Sequence, residues 1–198
     1  MPLQIRNTLV LLSLVAAAFE QDPVSAAAAA NTQPNTQPNT QPSSQPAKRI
    51  AFRTSSGYFI TAENGGGASV HTDRQALGPW ETFTLESVAP GIFTFRSDAG
   101  TYLSDLSGET PRAGREARTM LSAAKKQVDD STKFKLVVVN PDTWTVAIVT
   151  SSGKYITAEN NGGMKARGSK AVSTNRTEIG DWEQFQLVDV DKQPPPAQ

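Results

Sequence analysis

The residues that could perform acid–base chemistry recur at two distant places in the chain. Glu81 and Glu183 each follow a tryptophan, within Gly78-Pro79-Trp80-Glu81 and Gly180-Asp181-Trp182-Glu183. Two carboxylates about 5–10 Å apart across one cleft would hydrolyse glycosidic bonds. Glutamates that repeat at equivalent positions of a symmetric fold lie in different lobes instead, so we expect each to hydrogen-bond within its own turn. The chain is therefore predicted not to be an enzyme.

The composition limits the other kinds of site. There is no cysteine and His71 is the single histidine, so the chain has no His/Cys cluster for zinc. His71 has no evident nucleophile or acid beside it in the sequence, and we give it no catalytic role. A calcium site made of carboxylates stays open, although no loop shows regular Asp spacing. We predict no metal and no cofactor.

The first 26 residues have the pattern of an export signal. Arg6 precedes an apolar run at residues 9–19, and Val24-Ser25-Ala26 offers small residues for cleavage. Eleven apolar residues are too few to cross a bilayer, which takes about 20. We expect a secreted protein, extracellular or at the cell surface, with no membrane span. A retained anchor or an unstructured N-terminus is the alternative.

Residues 27–47 are predicted to be a disordered linker. They contain three consecutive Asn-Thr-Gln-Pro units at 31–42, and proline at every fourth position prevents a helix and keeps the chain extended. This linker could hold a domain away from a surface, or it could reflect repeat slippage at a tolerant site. Residues 192–198, with three consecutive prolines, are predicted to be a disordered tail.

The intervening residues, 48–191, contain one motif written twice. Residues 54–64 and 150–160 both read Thr-Ser-Ser-Gly-x-x-Ile-Thr-Ala-Glu-Asn, and each stretch is followed by Gly-x-Trp-Glu-x-Phe-x-Leu. The copies lie 96 residues apart, about twice a repeat of 48, which implies a degenerate middle copy. That copy begins at residues 95–104. Its closing phenylalanine completes a series spaced by 51 residues: Phe83, Phe134 and Phe185.

Short alternating apolar runs, separated by Gly, Asn, Asp and Ser, indicate β-strands throughout this region. Three repeats of about 48 residues, each with about four short strands, fit an all-β β-trefoil better than a propeller, which needs at least four blades. In repeat two, residues 112–127 show apolar residues at helical spacing. We predict one short helical insertion there.

The repeated motif resembles that of the fascin-like β-trefoils. The similarity lies in Ser-Gly-x-Tyr/Phe-Ile-Thr-Ala-Glu-Asn, then Asp73-Arg74 or Asn175-Arg176, then Gly-x-Trp-Glu-x-Phe-x-Leu. It covers most of residues 49–190 and is shared with fascin-like modules attached to secreted glucan-active glycosidases. Repeat two departs from the motif, with Ser131 where Trp80 and Trp182 stand. The Gln-x-Trp signature of ricin-type trefoil lectins is absent, which argues against a ricin-like galactose site.

Most of the repeated side chains have a structural explanation. Trp80 and Trp182 could stack on sugars, but identical placement in two repeats favours packing against the Phe and Leu of the strand that follows. Arg74 and Arg176 are expected to form ion pairs within the fold, although contact with a ligand is the alternative.

The Asn- and Gly-rich segments at 63–67 and 159–163 are predicted to be hairpin turns, because Asn and Gly tolerate a positive φ. A phosphate-binding loop is disfavoured, because no Lys-Ser/Thr accompanies the glycines. Asn175-Arg176-Thr177 matches the N-glycosylation sequon.

The loops that differ between repeats are basic. Residues 164–170 of repeat three form one such loop, and repeat two contributes another. These loops could bind an acidic glycan or an acidic partner, or they could simply be solvated. The basic residues of repeat two are Arg112, Arg115, Arg118, Lys125 and Lys126.

We predict a secreted, non-catalytic and monomeric module that binds a polysaccharide or glycan. The alternative is a protein-binding module, either actin-crosslinking-like, as the fascin resemblance implies, or specific for an extracellular protein. The formal net charge is zero, which argues against nucleic acid as the partner. Trefoil sites are expected as shallow pockets, one per repeat. We expect the ligand to be bound by residues that recur in repeats one and three. These candidates are Tyr58, Asn64, Asp73, Tyr155, Asn160 and Asn175.

Overall fold

The computed structural model describes residues 47–107, 121–163 and 172–193. The chain divides into two units, Met1–Pro46 and Ala47–Gln198, and the described residues all belong to the second. The predicted signal peptide, all but the last residue of the predicted linker, the prolines of the tail, Arg112, Arg115, Arg118 and the loop 164–170 lie outside the described residues. Among the described residues, no helix has the length and apolar character needed to span a membrane.

The described residues form twelve strands, and their helical structure consists of single 3₁₀ turns. Each strand is short, because Gly-, Asn- and Asp-containing turns interrupt the alternating apolar pattern. In chain order the strands are β1 Lys48–Thr54, β2 Phe59–Ala62, β3 Val70–Arg74, β4 Phe83–Ala89, β5 Ile92–Arg96, β6 Tyr102–Asp105, β7 Leu121–Lys125, β8 Phe134–Asn140, β9 Thr145–Thr150, β10 Tyr155–Ala158, β11 Val172–Arg176 and β12 Phe185–Asp189.

Six of these strands close into a barrel. The antiparallel pairs run β1–β4–β5–β8–β9–β12, and β12 returns to β1 with Phe52 opposite Leu187. The other six strands form three hairpins, β2–β3, β6–β7 and β10–β11. Closure leaves the barrel without an unpaired edge. This threefold arrangement confirms the predicted β-trefoil of three repeats.

Each of the three repeats contributes a phenylalanine to the barrel core from the same position of the repeat. Phe83, Phe134 and Phe185 begin β4, β8 and β12, and all three are buried. Their neighbours Phe52 and Phe95 pack edge to face, with ring centroids 5.1 Å apart. Burying each such side chain contributes about 1.5–3 kcal/mol. The 51-residue spacing therefore identified equivalent core positions correctly.

The hairpins connect each repeat to the next in a cycle. The Gly67 N–H of repeat one donates to the Ala123 carbonyl of repeat two at 2.7 Å. The Thr174 hydroxyl of repeat three donates to Asp105 of repeat two at 2.7 Å. The Gly163 N–H of repeat three donates to the Thr72 carbonyl of repeat one at 2.7 Å. The three repeats are thus cross-linked both through the barrel and through the hairpins.

The predicted helix at 112–127 is wrong where the structure describes it. Leu121–Lys125 is strand β7, which pairs with β6. Leu121 and Ala123 are buried while Ala124 is exposed, an alternation with the period of a strand. Pairing with β6 and burial against the other hairpins outweigh the helical spacing of the alanines, since propensity is a weak local preference. Residues 112–120 lie outside the described residues.

Candidate functional site

Arg74 and Arg176 are the centres of two matching clusters, one in repeat one and one in repeat three. Arg74 Nη2 donates to Glu63 Oε2 at 3.0 Å, and Arg74 Nη1 lies 3.6 Å from Glu81 Oε1. Its guanidinium also lies 4.5 Å from the centre of the Trp80 ring, within cation–π range. In repeat three the same contacts join Arg176 to Glu159, Glu183 and Trp182. The predicted ion pairing of both arginines within the fold is confirmed.

The buried glutamates of these clusters hold a 3₁₀ turn. The Gly78 N–H donates to Glu81 Oε2 at 2.9 Å, and the Gly180 N–H donates to Glu183 Oε2 at 2.8 Å. Both carboxylates are at most 3% exposed and face the arginine of their own repeat. The expected turn-holding role of Glu81 and Glu183 is therefore confirmed.

Trp80 contacts the arginine and the hairpin turn of its own repeat. The ring is half-buried under Arg74 and lies beside the turn at Gly65, where an added Cβ would sit 3.5 Å from the indole nitrogen. It thus joins the hairpin turn to the 3₁₀ turn, and Trp182 is likewise half-buried against Arg176. Packing of the two tryptophans on the Phe and Leu of the next strand stays a prediction.

Repeat two keeps the turn with smaller residues. Ser131 stands at the tryptophan position, in the 3₁₀ turn Asp130–Thr132. The Asp129 N–H donates to Thr132 Oγ1 at 3.0 Å, which replaces the bond made by glutamate elsewhere. Lys125 takes the arginine position and pairs with Asp129 at 2.8 Å. This hydrogen bond from Lys125 holds the pKa of Asp129 below its ordinary value.

The six sequence-predicted site residues lie in or beside the hairpins of repeats one and three. Asn64 and Asn160 are exposed turn residues with φ of 59° and 54°, as predicted for the hairpin turns. Asp73 and Asn175 occupy equivalent exposed positions on β3 and β11. None of the six lines the groove described next.

Tyr58 and Tyr155 are not equivalent to each other. Tyr155 pairs with Arg176 as Phe59 pairs with Arg74, so Tyr58 corresponds to Lys154. The prediction that Tyr58 and Tyr155 recur at the same position is therefore wrong, because their positions in the repeat differ by one residue. The Tyr58 ring packs on the repeat-three turn, where a Cβ on Gly163 would lie 3.2 Å from it.

A polar groove lies on the outside of the barrel where repeat three meets repeat one. It has a volume of about 470 Å³, and polar side chains make up its whole lining. Gln186 of β12 is at its floor, opposite Arg53 of β1 on one side and Thr145 of β9 on the other. Cross-strand neighbours of this kind present their side chains on one face. The lining residues are Arg53, Thr54, Ser55, Thr145, Asn161, Asp181, Gln184 and Gln186.

Several groups in this polar groove are free to bind a ligand. Asn161 has a φ of 58°, and its buried Oδ1 has no hydrogen-bond partner among the described residues. An unpaired buried acceptor costs about 1–3 kcal/mol, and this oxygen is buried rather than exposed to the groove. Arg53 forms no ion pair with any described residue, its Nε reaches the Gly57 carbonyl at 3.5 Å, and its guanidinium lies 5.9 Å from the centre of the Phe59 ring. Gln184 uses its amide nitrogen on the Gly180 carbonyl, which leaves its oxygen available.

The equivalent surfaces at the other two repeat junctions are different. Where repeat one meets repeat two, Thr84 lies between Arg49 and Arg96. Both arginines are neutralised there, since Arg96 pairs with Glu86 at 2.6 Å and Arg49 with a C-terminal aspartate at 2.7 Å. At the third junction Lys135 lies opposite Val149. Among the described residues of the three junctions, the combination of amides with an arginine that forms no ion pair thus belongs to the polar groove. No short sequence motif could have revealed it, because its residues come from three strands and three turns.

The comparisons with known proteins agree with the β-trefoil class. Residues 48–170 match the family described as "Domain of unknown function (DUF7910)", and the chain belongs to this family. No curated protein matches the sequence.

Solved structures of the same fold show low identity. The designed threefold-symmetric protein ThreeFoil aligns with a TM-score of 0.57 at 20% identity, covering 72% of this chain and 99% of its own. The BEL β-trefoil aligns with a TM-score of 0.55 at 14% identity, over 71% and 91% of the two chains. SeviL, in a structure with asialo-GM1 saccharide, aligns with a TM-score of 0.52 at 11% identity, over 73% and 98%.

Proposed function

We propose that this protein is a secreted, non-catalytic, fascin-like β-trefoil module that binds a neutral glycan in the polar groove. The observation that carries the proposal is the lining of that groove, to which amides, hydroxyls, one carboxylate and one guanidinium all contribute. Sugar hydroxyls both donate and accept hydrogen bonds, and this set offers partners of both kinds.

The balance of charge favours a neutral ligand over an acidic one. Arg53 contributes one positive charge and Asp181 one negative charge to the same groove, so neither sign dominates. The amides of Asn161, Gln184 and Gln186 then supply most of the recognition. The volume of about 470 Å³ is within the usual range for small-ligand sites and matches a short oligosaccharide.

The fold neighbours support this assignment indirectly. SeviL carries a saccharide on a β-trefoil, which shows that the fold can present a glycan site. The alternative is a protein-binding module, either actin-crosslinking-like, as the fascin resemblance implies, or specific for an extracellular protein through the basic loops. The loop 164–170 lies outside the described residues. No contact among the described residues favours this alternative.

The test is a screen of the full chain on an array of neutral oligosaccharides, followed by calorimetry with the best ligand. Arg53→Ala and Gln186→Ala should each weaken binding at least tenfold, because a hydrogen bond to a charged or buried group contributes about 1.5 kcal/mol or more. Lys135→Ala is the matched control, since Lys135 is exposed at the equivalent strand position of another junction.

Unchanged binding in Arg53→Ala and Gln186→Ala would remove the polar groove as the site. If Tyr58→Ala combined with Tyr155→Ala abolished binding while the groove variants did not, the ligand would bind at the hairpins. Binding of a protein and of no glycan would favour the alternative function.

A further inference from the structure

We infer that Glu63, His71 and Asp73 form a binding site for a divalent transition-metal ion, with Zn²⁺ as the best match. One nitrogen or oxygen atom from each side chain lies within 4.8 Å of the other two. The site is in the hairpin of repeat one, separate from the polar groove. The sequence did not predict this site, because a zinc site is usually indicated by several His or Cys residues and this chain has a single histidine.

The geometry of the β2–β3 hairpin brings these residues together. His71 lies opposite Thr61, and a bulge shifts the register between Thr61 and Phe59. His71 and Asp73 both face outward, because Val70 and Thr72, which alternate with them along β3, are buried. Glu63 begins the turn that follows β2, and its N–H donates to the Ser69 carbonyl at 3.1 Å. The backbone thus fixes all three positions before any ion binds.

The arrangement places three hydrogen-bond acceptors toward one another. Arg74 occupies Glu63 Oε2 at 3.0 Å, and the other oxygen, Oε1, lies 4.0 Å from His71 Nδ1. His71 Nε2 lies 2.9 Å from Ser69 Oγ. When Nε2 carries the proton and donates it to that hydroxyl, the Nδ1 lone pair points at the carboxylates, as in metal-binding histidines.

Repeat three shows what the same position looks like without an imidazole. There Ser173 and Asn175 replace His71 and Asp73, and Ser173 Oγ donates to Glu159 Oε1 at 2.7 Å. Its oxygen is therefore satisfied within the protein. The corresponding oxygen of Glu63 faces an imidazole and a second carboxylate instead, and a cation between them would satisfy all three.

The donor set selects the metal. One imidazole nitrogen and two carboxylate oxygens provide three protein ligands, which leaves a fourth tetrahedral position for water. Calcium and magnesium prefer oxygen ligands alone, so the imidazole favours Zn²⁺ and its neighbours in the series. The side chains of Glu63 and His71 are 20% and 34% exposed, so they can rotate inward to the shorter spacing that tetrahedral coordination needs.

Calorimetry of the full chain with zinc chloride, after treatment with EDTA, tests the site. We expect one ion per chain, and His71→Ala should weaken its binding at least tenfold. Asp73→Asn, which reproduces the residue of repeat three, should weaken binding less. Asn175→Ala in repeat three is the matched control and should bind Zn²⁺ like the wild type. Melting temperatures in EDTA establish that each variant is folded.

The single histidine permits a direct second measurement. Nitrogen chemical shifts of the one imidazole should show Zn²⁺ bound at Nδ1, with the proton on Nε2. Unmoved imidazole signals at saturating zinc would overturn the inference, as would zinc binding that His71→Ala leaves intact. Glycan binding is measured separately in EDTA, where no metal is bound. A failure of zinc binding can therefore be distinguished from a failure of the polar groove to bind glycan.

Discussion

Repeats one and three hold the same 3₁₀ turn as repeat two, but they do so with different chemistry. In repeats one and three a buried glutamate accepts the N–H of a glycine at 2.9 and 2.8 Å, and an arginine covers both the glutamate and a tryptophan. In repeat two Thr132 accepts the N–H of Asp129 at 3.0 Å, Lys125 pairs with Asp129, and a serine replaces the tryptophan.

The difference shows which part of the motif the fold requires. The turn needs an acceptor at its third residue that reaches back to the N–H at its start, and either a carboxylate or a hydroxyl meets that need. It does not need the tryptophan. The barrel beneath is the same in all three repeats, since Phe83, Phe134 and Phe185 are equally buried.

The largest expected effect would break the barrel and should be the same in every repeat. Phe83→Ala, Phe134→Ala and Phe185→Ala should each lower the free energy of unfolding by about 3–5 kcal/mol, because each leaves a cavity in a closed core. Chemical denaturation of the three variants measures this. If Phe134→Ala cost much less than the other two, repeat two would be loosely packed and the comparison would fail.

An intermediate effect should separate the repeats at the turn. Glu81→Ala or Glu183→Ala should cost about 2 kcal/mol, because a charged hydrogen bond and the partner of an arginine are lost together. Thr132→Val should cost about 1 kcal/mol, since only a neutral hydrogen bond is removed from a side chain of similar shape. Equal costs at all three positions would show that the arginine clusters add nothing to the turn.

The smallest effect concerns pH and belongs to repeat two. The hydrogen bond from Lys125 holds the pKa of folded Asp129 below its ordinary value of 3.8. The stabilisation from this carboxylate is therefore complete above that ordinary value and is lost as the pH falls through the lower, folded pKa. The difference in unfolding free energy between wild type and Asp129→Asn should be larger at neutral pH than at about pH 2.

Asp130→Asn serves as the control for this measurement, because it removes one charge from the same turn at a side chain that is 89% exposed. A pH-independent difference between wild type and Asp129→Asn would contradict the role given to Lys125.

The barrel could be predicted from the sequence because its determinants are periodic. The 51-residue spacing of three phenylalanines and the alignment of Ser131 with two tryptophans both depend on repetition, which a single sequence displays. The prediction of a helix at 112–127 was wrong because it did not depend on repetition. Alanine-rich spacing is a local signal, whereas the pairing of Leu121–Lys125 with β6 is a contact between segments that the sequence does not mark.

The candidate sites were harder to predict because they depend on what differs between the repeats. Choosing residues that recur selected Asn64 and Asn160, whose positive φ explains their presence without any ligand. The polar groove uses Arg53 and Gln186, which become neighbours only when β12 closes onto β1. Phe59 and Tyr155 each lie two residues after the glycine of the repeated motif. An alignment on that glycine pairs Tyr155 with Phe59 and not with Tyr58.

The pairing that closes the barrel also determines how the domain would respond to tension. Ile50, near the start of β1, lies opposite Asp189, the last residue of β12, and Thr54 lies opposite Phe185. The inter-strand bonds of an antiparallel pair run perpendicular to the strands. Pulling outward on residues 48 and 189 would load these bonds one after another from that end, as in a zipper, rather than all at once in shear. A module tethered at one end and held at the other would open along this seam, and the Arg53–Gln186 pair that lines the groove would separate late, because it lies near the far end of the pairing.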